Sequence, residues 1–230
     1  FPTRRSSDLL GGGQMLDLQV AGRGGVSPSP EAVALNVTVT GPTAASFLTV
    51  WPSGEPRPFA SSVNMVPGQT VPNMVLARVG ANGMVSIFNN TGSTDVVVDV
   101  LGCFDSNASG RYVALSPRRV LDTRDGLGAP LAPVGQTPLE VVLLGRGGVP
   151  SQGVSGVMLN VTAVAPTDNT FVTVYPSGTD RPLASNLNVT VGQVIPNMVL
   201  ARLGPEGTVM MYNNGGVVDL VADVVGYFTD

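Results

Sequence analysis

Residues 156–164 read Gly156-Val157-Met158-Leu159-Asn160-Val161-Thr162-Ala163-Val164, with Leu159 and Val161 on one side of the chain and Asn160 and Thr162 on the other. Successive side chains of an extended backbone point to opposite faces, so this alternation is that of a half-buried strand. The pattern repeats outward. Phe171 to Tyr175 alternates and stops at the turn residues Pro176-Ser177-Gly178. Asn186 to Val191 is closed by Gly192-Gln193, and Met198 to Leu203 lies between Pro196-Asn197 and Gly204-Pro205-Glu206-Gly207. The latter reads as a hairpin loop into Val209 to Tyr212, and Val217 to Phe228 is a longer alternating run. Arg119 to Thr123 and Leu139 to Leu144 bring the total to about eight short strands, with turn signals roughly every 8–12 residues, the pattern of a sandwich or barrel. No segment reads as a helix longer than a turn. The predicted fold class is all-β.

The chain says this nearly twice. Shifted by 124 positions, Asn36-Val37-Thr38 falls on Asn160-Val161-Thr162, Pro52-Ser53-Gly54 on Pro176-Ser177-Gly178, and the run from Pro72 to Arg78 on an identical run from Pro196 to Arg202. The shift holds without a gap from Val33 to Phe104, with roughly half of the positions identical, which marks a tandem duplication. The period is too long for a solenoid unit and matches one small domain. Two β-sandwich domains, jelly-roll-like or Ig-like and related by internal duplication, are therefore expected at 10–105 and 111–230. The small polar linker between them is 106–110 (Ser106-Asn107-Ala108-Ser109-Gly110).

Residues 1–9 (Phe1-Pro2-Thr3-Arg4-Arg5-Ser6-Ser7-Asp8-Leu9) read as the translation of TTC CCT ACA CGA CGC TCT TCC GAT CT, the tail of a common short-read sequencing adapter, and are set aside from fold reasoning. On that reading the first module is truncated. The second has a lead-in from Arg111 to Val134, and the first has no counterpart to most of it. The first module is then expected to present an unpaired edge and to be a source of self-association.

Composition excludes whole classes of function. Charged residues make up 12% of the chain, about half the usual share. All twelve basic residues are Arg, and sixteen acidic residues leave a net charge of −4. Without a basic stripe, neither nucleic acid nor an anionic membrane surface is an expected partner. Asp95, Asp99, Asp219 and Asp223 interrupt the most apolar stretches, so no membrane-inserting helix is expected. The lysine-free, Arg/Ala/Gly/Val/Pro-rich usage suggests a GC-rich bacterial genome. The chain contains no His, which removes Ser-His-Asp and Cys-His catalysis and His-ligated metal sites. Cys103 is the one cysteine and aligns with Tyr227, so neither position demands a thiol. No cofactor and no metal are expected.

Several motifs together carry a resemblance: Arg119-Val120-Leu121-Asp122-Thr123-Arg124, Gly145-Arg146-Gly147-Gly148-Val149-Pro150, Leu159-Asn160-Val161-Thr162, Tyr175-Pro176-Ser177-Gly178 and Asp223-Val224-Val225-Gly226-Tyr227-Phe228. The chain resembles a tandem β-sandwich module of secreted and cell-surface proteins of high-GC bacteria, often appended to hydrolases or wall-associated domains. The resemblance covers the second copy entirely and the first from about Gly12 onward. It implies an extracellular or cell-surface location and a bacterial source, and it carries no ligand.

The candidate residues fall into three groups. Phe47 and Trp51, with Thr49, share one face of a predicted strand, as do Phe171 and Tyr175 with Thr173. Exposed, such rings would be a stacking platform for sugars; turned inward, they would fill the core, which is the preferred reading. Asp122 and Arg124 lie two apart on a predicted strand and are read as a structural ion pair rather than a ligand grip. Asp99 and Asp223 recur on the last strand and are expected to accept hydrogen bonds from Arg78 or Arg202, or from backbone amides. A glycosidase needs two carboxyls roughly 5–10 Å apart, whereas Asp219 and Asp223 on one strand face would be about 13 Å apart. Asp125-Gly126 reads as a turn rather than a calcium loop. The glycine clusters at 22–25 and 145–148 read as tight turns, since no helix follows them to hold a phosphate. The sequons at Asn36, Asn160 and Asn188 fall on strands and are not read as glycosylation sites.

The expected function is that of a non-catalytic extracellular or cell-surface module, not an enzyme, serving as a spacer, anchor or adhesion unit of a larger secreted protein. Its expected partner is a cell-wall polysaccharide or another surface protein. A carbohydrate-binding module using the aromatic strand faces is the alternative, and an Asp-based hydrolase a distant third.

Overall fold

In the computed structural model, residues 9–230 are described. The segment read as an adapter lies outside the described residues apart from Leu9. The chain divides into two compact units, the first ending at Ala108 and the second running from Ser109 to Asp230.

The first unit contains eight strands: β1 (Leu10–Gly11), β2 (Met15–Gln19), β3 (Ala32–Thr40), β4 (Ser46–Pro52), β5 (Val63–Met65), β6 (Val71–Arg78), β7 (Met84–Asn89) and β8 (Ser93–Phe104). They form two four-stranded sheets in the orders β1-β8-β3-β6 and β2-β7-β4-β5. The second unit repeats the plan with β9 (Tyr112–Asp122), β10 (Leu139–Val142), β11 (Val154–Val164), β12 (Thr170–Pro176), β13 (Leu187–Val189), β14 (Val194–Arg202), β15 (Thr208–Asn213) and β16 (Asp219–Thr229). Its sheets are β9-β16-β11-β14 and β10-β15-β12-β13. Within each unit the order is 1-8-3-6 against 2-7-4-5, all antiparallel, which is the jelly-roll arrangement of the sandwich. The fold is all-β, and the one helical turn among the described residues is Pro205–Gly207, in the loop from β14 to β15.

The alternation seen in the sequence is what builds the cores. Val33, Leu35, Val37 and Val39 of β3 are fully buried and face Val85 and Ile87 of β7 across the first sandwich. Leu159, Val161 and Ala163 of β11 do the same opposite Val209 and Met211 of β15. Both central strands slip register by one residue at the same place, between Ala34 and Leu35 and between Met158 and Leu159. Pro72 and Pro196, which read as boundaries, lie inside β6 and β14. Those are edge strands, where a residue without an N–H is tolerated.

The units differ at one edge. In the second, β9 runs along β16 and buries Val120 and Leu121 in the core. The predicted strand at Arg119 to Thr123 is thus longer upstream, and the chain turns at Thr123. The glycine cluster explains part of this packing. Gly147 has φ +61°, and a Cβ there would come 2.6 Å from Val224 Cγ1 and 2.7 Å from Val120 Cγ1. In the first unit β1 pairs only with Ser93 and Thr94, at the start of β8. It corresponds to the bridge between Val134 and Val218, not to β9.

Candidate functional site

Leu48 and Val50 of β4 point into the first core, so Phe47, Thr49 and Trp51 point away from it, as Phe171, Thr173 and Tyr175 do on β12. These outer faces are closed by the loops that follow. In the first unit, the Thr49 hydroxyl donates to the Ala60 carbonyl (2.6 Å), Trp51 Nε1 donates to the Glu55 carbonyl (2.9 Å), and the Val50 amide donates to Ser62 Oγ (3.0 Å). In the second, Thr173 Oγ1 donates to the Ala184 carbonyl (2.8 Å), and the Val174 amide to Asn186 Oδ1 (2.7 Å). Trp51 and Tyr175 consequently retain 5% and 6% of their surface, and Phe47 and Phe171 are half-buried. Each loop also sets an arginine on a ring: Arg57 lies 3.6 Å from the Phe88 centroid and Arg181 lies 4.1 Å from that of Tyr212. Such cation–π contacts hold the loop down.

Beyond each arginine and the proline after it, the loop tip turns an apolar side chain fully outward. Phe59 is 109% exposed and Leu183, 124 positions later, is 89% exposed. Sequence reasoning missed this pair. The signal was present in the self-alignment of Arg57-Pro58-Phe59-Ala60-Ser61 with Arg181-Pro182-Leu183-Ala184-Ser185, but no strand pattern singles out a loop tip.

Behind the first loop is an open cleft of about 310 Å³, with Trp51, Pro52, Pro58 and Leu76 among its walls. Glu55 and Arg78, which also line it, form an exposed ion pair at 3.5 Å. Arg78 is therefore engaged with Glu55 rather than reaching Asp99. In the second unit Thr179 replaces Glu55, so Arg202 has no matching carboxylate at that position.

Asp122 is the centre of the charged cluster. Its side chain is 1% exposed and accepts from Arg124 Nη2 (2.7 Å), Arg124 Nε (2.9 Å), the Arg124 amide (3.1 Å) and Arg119 Nη1 (3.1 Å). Arg124 lies past the strand end, and the turn brings it back onto Asp122. Arg119 continues to Asp223 through Nε (3.1 Å) and Nη2 (3.4 Å). Hydrogen bonding by Arg124 holds the Asp122 carboxyl down to about 2. The cluster thus links the turn after β9 to β16. No described arginine reaches Asp99, the first-unit counterpart of Asp223, and burial pushes its carboxyl up. Among the described residues no three potential metal ligands come together.

A second buried polar device was not foreseen. Asn89 and Asn213 are completely buried at the ends of β7 and β15. Asn89 Nδ2 donates to the Leu10 and Gly92 carbonyls (2.9 and 3.1 Å), and its Oδ1 accepts from Ser46 (2.8 Å), which in turn accepts the Thr91 amide (2.9 Å). Asn213 does the same with Val134, Gly215 and Gly216 carbonyls, Thr170 and the Gly215 amide. In each unit this relay ties the entry segment to the turn before the last strand.

No family model and no curated protein matches the sequence. Among solved structures, the chain is similar to the N-terminal tandem CBM22-1-CBM22-2 domain of Xyn10C from Paenibacillus barcinonensis. The identity is 12% over 96% of this chain and 84% of that one, with a TM-score of 0.26. An overlap of that extent assigns no ligand. No described helix is long and apolar enough to cross a membrane.

Proposed function

We propose that the chain is a pair of non-catalytic modules of an extracellular or cell-surface bacterial protein, and that it serves as a spacer and adhesion unit. The observation that supports this reading is the recurrence of a fully exposed apolar side chain, Phe59 and Leu183, on the same clamped loop of both units. Single exposed apolar residues are ordinary on protein surfaces. Two at equivalent positions, each on a loop fixed by an arginine on a ring, make two matching contacts along one chain. Two weak contacts held by one chain bind as an avid pair.

The test is adsorption of the whole chain to purified bacterial cell-wall polysaccharide and to intact bacterial cells. Phe59→Ser and Leu183→Ser should each weaken binding, and loss of the second contact should lower apparent affinity by about a hundredfold or more. Retention unaffected by both substitutions together would refute the assignment of the tips. Turnover of any glycoside or ester in a panel assayed with and without divalent ions, abolished by Asp223→Asn, would overturn the non-catalytic reading.

The cleft bounded by Trp51, Pro58, Glu55 and Arg78 favours a second reading, a carbohydrate site in the first unit. It combines an apolar wall with a donor and an acceptor, the mixture that orients a sugar. Soluble oligosaccharides would then change the Trp51 fluorescence, and Arg78→Ala would abolish the change while leaving the tip-dependent adsorption intact.

A further inference from the structure

Arg57 and Arg181 hold the same position in the two copies, 124 residues apart, as do the rings beneath them, Phe88 and Tyr212. Each arginine sits in a loop segment pinned on both sides. Around Arg57 the pins are the Glu55 carbonyl, which accepts from Trp51 Nε1, and the Ala60 carbonyl, which accepts from Thr49 Oγ1. Around Arg181 they are Thr179, whose hydroxyl donates to the Pro176 carbonyl (2.8 Å), and the Ala184 carbonyl, which accepts from Thr173 Oγ1. A guanidinium 3.6 or 4.1 Å from a ring centroid stacks on the ring face, which leaves its N–H donors at the rim. Arg78, Arg119 and Arg124 each pair with a carboxylate. Among the described residues, Arg57 and Arg181 have no carboxylate within ion-pair distance and make no side-chain hydrogen bond. Even Asp180, the sequence neighbour of Arg181, lies outside ion-pair distance.

We infer that Arg57 and Arg181 each bind an oxyanion, a carboxylate or a phosphate ester, of a sparsely charged glycan. The ring contact accounts for where each guanidinium sits but uses none of its N–H donors, and that planar fork matches two oxygens of one acceptor. A fork already fixed by its ring and its pinned loop loses little conformational freedom on binding, so more of the interaction appears as affinity. The charge of the whole chain selects among anions. With a net charge of −4 and no basic stripe it repels a dense polyanion, whereas an isolated acidic group between neutral sugars meets one guanidinium per unit. Phe59 and Leu183 follow the arginines by two residues on the same loops. On the adhesive reading above, on which this assignment rests, one polymer meets both the tip and the fork. Leu183 has no ring to stack on a sugar, so the directional part of recognition falls to the arginine.

The probes are four immobilised polymers: dextran bearing sparse carboxymethyl groups, dextran bearing sparse phosphate esters, unmodified dextran and heparin. The full chain should bind one or both of the sparsely charged dextrans, and the better of the two identifies the oxyanion. Plain dextran and heparin should retain it far less. Arg57→Lys and Arg181→Lys keep the charge, the ring contact and the pinned loop but lose the fork. Each should weaken binding about tenfold, and the two together about a hundredfold. No binding to either charged dextran would overturn the inference. So would unchanged binding by the double lysine variant, or binding to heparin as strong as to the sparse polymers. The tips are read separately, on cells. If Phe59→Ser with Leu183→Ser abolishes adsorption while the lysine variants bind every polymer normally, the adhesive reading stands and the arginine sites fall. If the lysine variants lose the charged dextrans while the tip variants adsorb to cells normally, the arginine sites stand and the role given to the tips falls.

Discussion

Asn89 offers the sharpest test of what holds the first sandwich together. Replacing it with Ala removes two donated hydrogen bonds, to Leu10 and Gly92, and one accepted from Ser46, at a side chain with no solvent exposure. At a net value of about 1 kcal/mol each, the three together give about 3 kcal/mol. The Ser46 hydroxyl also loses its acceptor while still holding the Thr91 amide, so the relay has no ready substitute. Trp51 is the only tryptophan and lies in the first unit, so its fluorescence reports that unit's unfolding in urea. With an m-value of about 1.5 kcal/mol/M, the midpoint should fall by about 2 M. Asn213→Ala should leave the tryptophan transition in place and move the remaining change in circular dichroism. A loss below about 1 kcal/mol for Asn89→Ala would refute the reasoning, since a buried relay cannot then be what fixes the entry segment.

The acid limb tests the Asp122 cluster. Its folded carboxyl is held at about 2, below the ordinary 3.8, so its stabilisation is present above the ordinary value and is lost as pH falls through about 4 toward 2. Equilibrium unfolding across that window should show the second unit weakening, and Asp122→Asn should lower its stability at neutral pH and flatten the acid dependence. Gly147→Ala combines a positive φ with contact against Val224 and Val120, and should destabilise the second unit by about 2–3 kcal/mol. Gly24→Ala has the same backbone strain with ordinary contact distance and should cost about 1 kcal/mol, read from the tryptophan transition.

The strands were legible because the sandwich has one wet and one dry face along most of its length. Leu159, Asn160, Val161 and Thr162 state that division residue by residue. Pairing order was not legible, since β3 finds β8 across more than fifty intervening residues and nothing local encodes that choice. The aromatic stripe illustrates a subtler limit. Alternation puts Phe47, Thr49 and Trp51 on one face but says nothing of a loop that folds back over it. Either an arginine of the β6 and β14 positions or backbone amides is the sequence expectation for the strand aspartates; Arg78 instead meets Glu55, and Asp223 meets Arg119. The partner was decided by sheet order, since β9 lies beside β16 whereas β14 does not.

The duplication separates residues that hold the fold from residues that do something else. About half of the aligned positions differ between the copies, so a feature present in both has withstood considerable divergence. The asparagine relay and the arginine on a ring both recur, and both have a packing reason to do so. The Glu55–Arg78 pair does not recur, since Thr179 stands in place of Glu55. Phe59 and Leu183 are the remaining case. They differ in identity, agree in being large and apolar, and bury almost nothing. Hydrophobic stabilisation scales with area removed from water, so neither residue contributes to folding through burial. Drift toward a polar side chain would carry no stability penalty at either tip. Under the proposed adhesive role both tips remain apolar because each makes a contact outside the chain, and substitution at the two tips, singly and together, tests that directly.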